Sequence, residues 1–450
     1  MHTLRREAGL SLRMGYGAGL FKRSLTMNFK PTRFTFEVNT PSAPARVLAR
    51  WHRPLWNRWV ALLAFAAAQP LTAVSQVAAN PSSSPSGSPS AAAEPATPRA
   101  KGKTQARPER PQRPKAAPKA SQGTTVLIGS GPAYAERAEA MDFAERLALE
   151  RGLPAHWLRQ TIGRARRSPL VMQLMQPPSS PFVKNWRVYR SRFIEDIRIQ
   201  AGLRFWQTHE GELNRAESIY GVPPEIVVGI IGVETLYGRH MGQFRVMDAL
   251  ATLAFDFPAR HPRAAERSEY FRKELEQFLL AQHRSQTDPF ESLGSYAGAT
   301  GMPQFMPSSI ASFAVDFDKD GRIDLRSSVS DVIGSVAHYL KAFNWKPGMP
   351  THYRVELDKQ ADLPSLLAPD ILPTFSAQVF QEKGALLQEP ATSHTGPLAL
   401  IELLNGSEAP TFVAGTENFY VITRYNWSSY YAMAVIELGQ EIARRKNRGH

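Results

Sequence analysis

A chain of 450 residues with 43% hydrophobic content is long enough for one large folded domain or two ordinary ones, and is globular for most of its length. It has no cysteine, which excludes thiol catalysis, thiolate metal sites, disulfides and a Cys-linked lipid anchor. The net charge of +14 belongs to the tail: residues 1–123 hold 19 of the 54 Lys and Arg and 4 of the 40 Asp and Glu, so the remainder is −1. No nucleic-acid partner is expected, because the folded part lacks a basic surface and a groove-reading module.

In chain order, Arg53 and Arg58 precede WVALLAFAAAQPLTAVSQVAAN, a ten-residue apolar core followed by small residues up to Ala79. That is the layout of a secretory signal. The other reading is a membrane anchor over 59–79, a poor one because Gln69, Pro70 and Gln76 interrupt it. Residues 1–79 are therefore an N-terminal extension carrying a signal or an anchor, with translation starting at Met1 or later, for example at Met27. Residues 80–123 are Pro, Ala, Ser, Lys and Arg with almost no large apolar side chain, and read as a disordered linker. A folded domain over 124–446 follows. Apolar residues recur at helical spacing over 133–152, 154–167 and 188–206, again from Pro223 and Pro224 to Gly238, and over 270–280 and 331–343. After Trp345 the pattern becomes extended in HYRVEL, LALIELLNG and NFYVITRY, which places a small β-containing part at about 350–424.

Within the apolar run of 226–238, GIIGVETLYG holds one carboxylate, Glu234. An ionised acid on a buried helix is expensive, so Glu234 is either paired with a cation such as Arg239 or held protonated with a raised pKa. A protonated carboxyl is what glycosidic cleavage needs, because the leaving oxygen must receive a proton as the bond breaks. Two other segments bear on the choice. GSYAGATGMPQFMPSSI is a close-packed, glycine-rich loop with one embedded amide, Gln304, and RYNWSSYYAM clusters aromatic rings and amides suited to sugar faces and N-acetyl groups. DFDKDGRIDLRSSVSD, residues 316–331, has Asp at loop positions one, three and five and Gly at six, the alternation used for Ca²⁺; the twelfth residue is Ser327 and not Glu.

These segments resemble the lytic murein transglycosylase B family of peptidoglycan-cleaving enzymes. The resemblance runs from about residue 141 to 442 and is carried by YGVPPEIVVGIIGVETLYG, ALATLAFDFP, YFRKELEQFLL, SYAGATGMPQFMPSSI, DVIGSVAHYLKAFNW and NFYVITRYNWSSYYAMAV. It implies a mainly α (α+β) fold: a lysozyme-like helical catalytic domain with an EF-hand-like loop and a small C-terminal β-containing subdomain. It implies that Glu234 is the single catalytic acid/base. It also implies that Tyr189, Arg267, Ser295, Gln304, Phe305, Tyr339, Tyr425, Asn426 and Tyr431 line the saccharide groove. Glu266 stands where the family has the first of two adjacent arginines, and ARHPRAA just before it looks like an insertion. The metal loop is similar to the family's elongated form, with Asp316, Asp318, Asp320, the Arg322 carbonyl and Asp331 as ligands to a structural Ca²⁺ and Asp324 as a further candidate.

No organic cofactor is expected. The implied reaction cleaves the bond between N-acetylmuramic acid and N-acetylglucosamine and forms a 1,6-anhydro end; the alternatives are a non-catalytic wall-binding protein and a muramidase-type hydrolase. The expected partners are peptidoglycan strands and cell-wall synthesis or divisome proteins. A monomeric, exported, periplasmic protein is expected, associated with the inner membrane if the N-terminal segment is retained.

Overall fold

The computed structural model describes residues 125–177 and 183–448; the predicted signal and linker lie outside the described residues. Helices α1 (Ala138–Arg151), α2 (Ala155–Arg164) and α3 (Pro169–Leu174) come first. Gly152 ends α1 in the left-handed region at φ 66°, where its N–H returns to the carbonyl of Ala148. Two helices, α4 (Trp186–Ser191) and α5 (Asp196–Thr208), replace the one pattern predicted over 188–206. The break lets Phe193 turn into the core, where it is 3% exposed, and Glu195 is extended before α5 begins.

After α6 (Glu210–Tyr220), Pro223 caps α7 (Pro224–Thr235) and Pro224 takes its first position, where a missing N–H does no harm. Next come the short strand β1 (Phe244–Arg245), α8 (Val246–Phe255), α9 (Ala264–Ser285), β2 (Leu293–Gly294), α10 (Pro307–Phe313) and α11 (Val329–Ala342). Strands β1 and β2 pair antiparallel, with Phe244 opposite Gly294. The C-terminal part holds β3 (His352–Leu357), α12 (Leu363–Leu367), α13 (Ala377–Glu382), β4 (Ala385–Leu387), β5 (Ala399–Asn405) and β6 (Glu408–Gly415), then α14 (Glu417–Tyr425) and α15 (Ser429–Arg448). Its sheet is antiparallel in the order β4-β3-β6-β5. The architecture is mainly α with small sheets, as the sequence implies.

One predicted element changes type. NFYVITRY reads as extended because it is aromatic and β-branched, yet it forms α14. Thr416 caps the helix by accepting the Asn418 N–H, and Phe419, Val421 and Ile422 pack inward. Tertiary packing overrides residue propensity here.

The buried side chains fall into three clusters. One surrounds α7, α11 and α15, a second joins α1 and α2 to α8 and α9, and a third lies between the C-terminal sheet and α12 and α13. The glycine-rich loop joins the first two, since Tyr296 belongs to the α8–α9 cluster and Phe305 to the α7 cluster. Helices α7 and α15 cross closely. A methyl group on Gly229 would collide with the Val435 carbonyl, and one on Gly439 with that of Glu225.

Asp248, 1% exposed on α8, accepts the N–H groups of Gly129 (2.9 Å) and Arg166 (2.8 Å) and pairs with Arg245 (2.7 Å). It ties the N-terminal segment, the α2–α3 junction and β1 to one helix. Asp248→Ala leaves a cation and two amides without their acceptor, so it is predicted to lower unfolding free energy by about 3–5 kcal/mol. Urea denaturation at pH 7 measures this.

Candidate active site

Glu234 is the second-last residue of α7 and is half-buried. Its Oε1 accepts the hydroxyl hydrogen of Tyr431 on α15 at 2.7 Å. Protein atoms crowd the carboxyl, so desolvation raises its pKa from 4.5 to about 7, while the Tyr431 hydrogen bond pulls the other way. Among the described residues no Lys or Arg pairs with it, and Arg239, the cation weighed from sequence, is exposed at the surface. Of the two readings of this acid, the protonated one fits the structure.

The chain then turns away sharply. Leu236 and Tyr237 are both left-handed, with φ of 51° and 56°, and a non-glycine residue is strained there. Thr235 stabilises this exit: its hydroxyl donates to the Met302 carbonyl at 2.9 Å and accepts the Gly238 N–H at 3.1 Å. The acid is thereby joined to the glycine-rich loop.

Tyrosine rings surround the carboxyl. Tyr431 is fully buried and stacks on Tyr425, with ring centres 6.3 Å apart. Tyr425 donates to the Pro303 carbonyl at 2.5 Å and lies 4.8 Å from the Tyr339 ring, and Tyr339 donates to the Arg424 carbonyl at 2.7 Å. Tyr189, from α4, feels the charge of Glu234, and burial pushes its hydroxyl pKa up. Gln304 is left-handed at φ 50°, and its amide donates to the carbonyls of Met241 (3.2 Å) and Gly301 (2.9 Å). Asn426 is 6% exposed, and its Oδ1 is buried with no hydrogen-bond partner among the described residues.

The predicted groove residues differ in exposure. Phe305 is 2% exposed and packs against Tyr339 and Tyr425, so it supports the aromatic wall from behind. The reason is local: Phe305 and Thr300 exchange backbone hydrogen bonds, which turns the ring inward. Ser295 is half-buried, with its hydroxyl accepting the Ala299 N–H at 3.1 Å.

On the other side Arg267 lies beside Tyr270 and Tyr296, and burial lowers its pKa. Glu266 pairs with Arg263. Sequence reading misses Glu274, 2% exposed, which receives the Ser308 N–H (2.9 Å), the Ser308 hydroxyl (2.7 Å) and the Tyr270 hydroxyl. The available signal is its spacing four residues after Tyr270 on α9, which puts both on one helix face.

In the predicted metal loop, oxygens of Asp316, Asp318 and Asp320 lie within 4.8 Å of one another. Such a set fits a hard divalent cation. Asp331 stands apart from the three. It is 1% exposed, and its oxygens accept the N–H groups of Phe317 (2.7 Å) and Asp324 (2.8 Å), so it closes the loop through backbone amides. Asp324 accepts from Arg326 and Ser327, and the Arg322 side chain points to Asp320.

A helical domain presenting a raised-pKa carboxyl amid tyrosines and amides defines a lysozyme-like enzyme that cleaves glycosidic bonds. Residues 135–440 match the Transglycosylase SLT domain family. The chain is 41% identical over 328 residues to the membrane-bound lytic murein transglycosylase B of Escherichia coli K12, covering 70% of this chain and 86% of that protein. The catenated lytic transglycosylase SltB1 of Pseudomonas aeruginosa is 41% identical with a TM-score of 0.64, over 70% of this chain and 99% of that one. The Escherichia coli lytic transglycosylase Slt35 in complex with calcium is 39% identical with a TM-score of 0.60, over 72% of this chain and 98% of that one. The chain belongs to the lytic murein transglycosylase B family and is an enzyme of peptidoglycan glycosidic-bond cleavage.

Calcium is predicted to raise the melting temperature, by the equivalent of about 2.7 kcal/mol at a hundredfold excess over the dissociation constant. The double variant Asp316→Asn/Asp318→Asn should lose that response while remaining folded. Thermal melts with Ca²⁺ and with a chelator test this.

Proposed function

We propose that this protein cleaves the β-1,4 bond between N-acetylmuramic acid and N-acetylglucosamine and closes the muramyl residue into a 1,6-anhydro ring, with Glu234 as acid and then base. The observation that carries this reading is a carboxyl with a pKa raised to about 7, bonded to Tyr431 and paired with no Lys or Arg among the described residues. Standard glycosidases place two acids about 5–9.5 Å apart, the second serving as nucleophile or as base for water. A single acid that serves as donor and then as base suits a reaction whose nucleophile is already part of the substrate.

Protonated Glu234 gives its hydrogen to the bridging oxygen as the C1–O bond breaks, and positive charge develops at the muramyl C1, assisted by the 2-acetamido group. The resulting carboxylate takes the hydrogen of the C6 hydroxyl, whose oxygen bonds to C1. The acid is regenerated and no water is consumed. A well-oriented internal hydroxyl has an effective concentration of about 10⁵ M or more, enough to outrun bulk water. Tyr431 holds the carboxyl in both states. Tyr189 and Tyr425 are positioned to receive the sugars, with Tyr339 and Asn426 behind them, and Gln304, Ser295 and Arg267 complete the wall.

A bound Ca²⁺ would shape the loop after α10 through Asp316, Asp318 and Asp320 and has no part in the bond cleavage. An envelope or periplasmic site of action fits the relationship to a membrane-bound murein transglycosylase. A monomer acting on glycan strands, alone or beside cell-wall synthesis or divisome proteins, fits the same reading.

The full-length protein incubated with murein sacculi should release muropeptides ending in anhydro sugars, identified by mass spectrometry. Glu234→Gln should lower release by at least about 100-fold and leave sacculus binding intact. Because the acid must start protonated, wild-type turnover should fall as pH rises through about 7. Reducing ends would mean a hydrolase, and retention without release a binding protein.

A further inference from the structure

Glu234 is exact in its task only if the last turn of α7 stays in place, and that turn leads into two strained residues. The carbonyl of Gly232 closes this turn by accepting the Leu236 N–H at 3.2 Å. The same oxygen accepts a second hydrogen bond from the guanidinium of Arg198 on α5. Arg198 is only 7% exposed and lies over the Phe193 ring at 5.3 Å. A buried cation facing the C-terminal end of a helix also complements its dipole.

Tyr237 completes the arrangement. Its hydroxyl is buried without a hydrogen-bond partner among the described residues, and its ring packs on Phe205 at 5.0 Å. A methyl group on Gly202 of α5 or on Gly232 of α7 would strike that hydroxyl, so the side chain fills a slot made by two glycines. Shape and one charged hydrogen bond thus join the Thr235 contacts in holding the left-handed turn.

We propose that Arg198 is a positioning residue for Glu234: by gripping the Gly232 carbonyl it keeps the strained exit of α7 wound and the carboxyl aligned with Tyr431. The proposal rests on Glu234 being the catalytic acid. The groups facing Glu234 are Tyr431 from α15, Tyr425 from α14 and Tyr189 from α4; those facing Arg198 are Glu195, just before α5, and Tyr237. Loosening the turn weakens the Tyr431 hydrogen bond, which favours the ionised form of Glu234. Its loss raises the Glu234 pKa, so the alkaline limb of the pH–rate profile moves to higher pH.

The experiment compares Arg198→Met, Arg198→Lys and Gly202→Ala with wild type on soluble glycan strands, with thermal melts to confirm folding. Arg198→Met should lose about 10- to 100-fold in kcat with KM within about twofold, and its alkaline limb should shift upward. Arg198→Lys, which keeps a charge and a donor, should recover part of the loss. Gly202→Ala, which presses on Tyr237 from α5, should reproduce the kcat loss if Arg198→Met fails to fold. A folded Arg198→Met, or in its place a folded Gly202→Ala, with wild-type kcat and pH limb overturns the proposal. Full activity of Glu234→Gln would instead overturn the assignment of the acid itself.

Discussion

The molecule is organised around the desolvation of one carboxyl group. An acid placed in the last turn of an apolar helix is unfavourable as an anion, and among the described residues no cation relieves it; Tyr431 provides a phenol at hydrogen-bond distance. The balance leaves a group that can hold a proton near neutral pH and give it up to a better acceptor. A guanidinium beside it would have produced a stable ion pair and no acid.

Several features that look unrelated follow from this constraint. Gly229 and Gly439 let α7 and α15 approach closely, which brings Tyr431 to Glu234. Pro223 and Pro224 fix where α7 begins, and the left-handed pair Leu236 and Tyr237 fixes where it ends. Thr235 ties that end to Met302 in the glycine-rich loop, whose own backbone then presents Gln304 and the Pro303 carbonyl to the aromatic wall. Packing between helices therefore becomes geometry at a single carboxyl.

Much of this was legible in the sequence. A lone acid in an apolar helical run, the two prolines and the Asp-rich loop each have a local chemical signature, and the order of motifs pointed to the family and to the mainly α fold. The misses share a physical cause, since each depends on contacts between distant segments. NFYVITRY has strand composition but a helical cap at Thr416 and an inward face that only the packed core reveals. The inward turn of the Phe305 ring and the backbone amides on Asp331 likewise depend on how the loops pack. Arg198 and Glu274 lie on amphipathic helices where a charged residue ordinarily faces water, and nothing local distinguishes them.

The most direct test is a ¹³C NMR titration of the Glu234 side-chain carboxyl in the full-length protein, its resonance assigned by loss in Glu234→Gln. A midpoint near 7 is the result this account predicts. A midpoint near 4.5, the ordinary value for glutamate, would mean that the group is already ionised at neutral pH and is no proton donor.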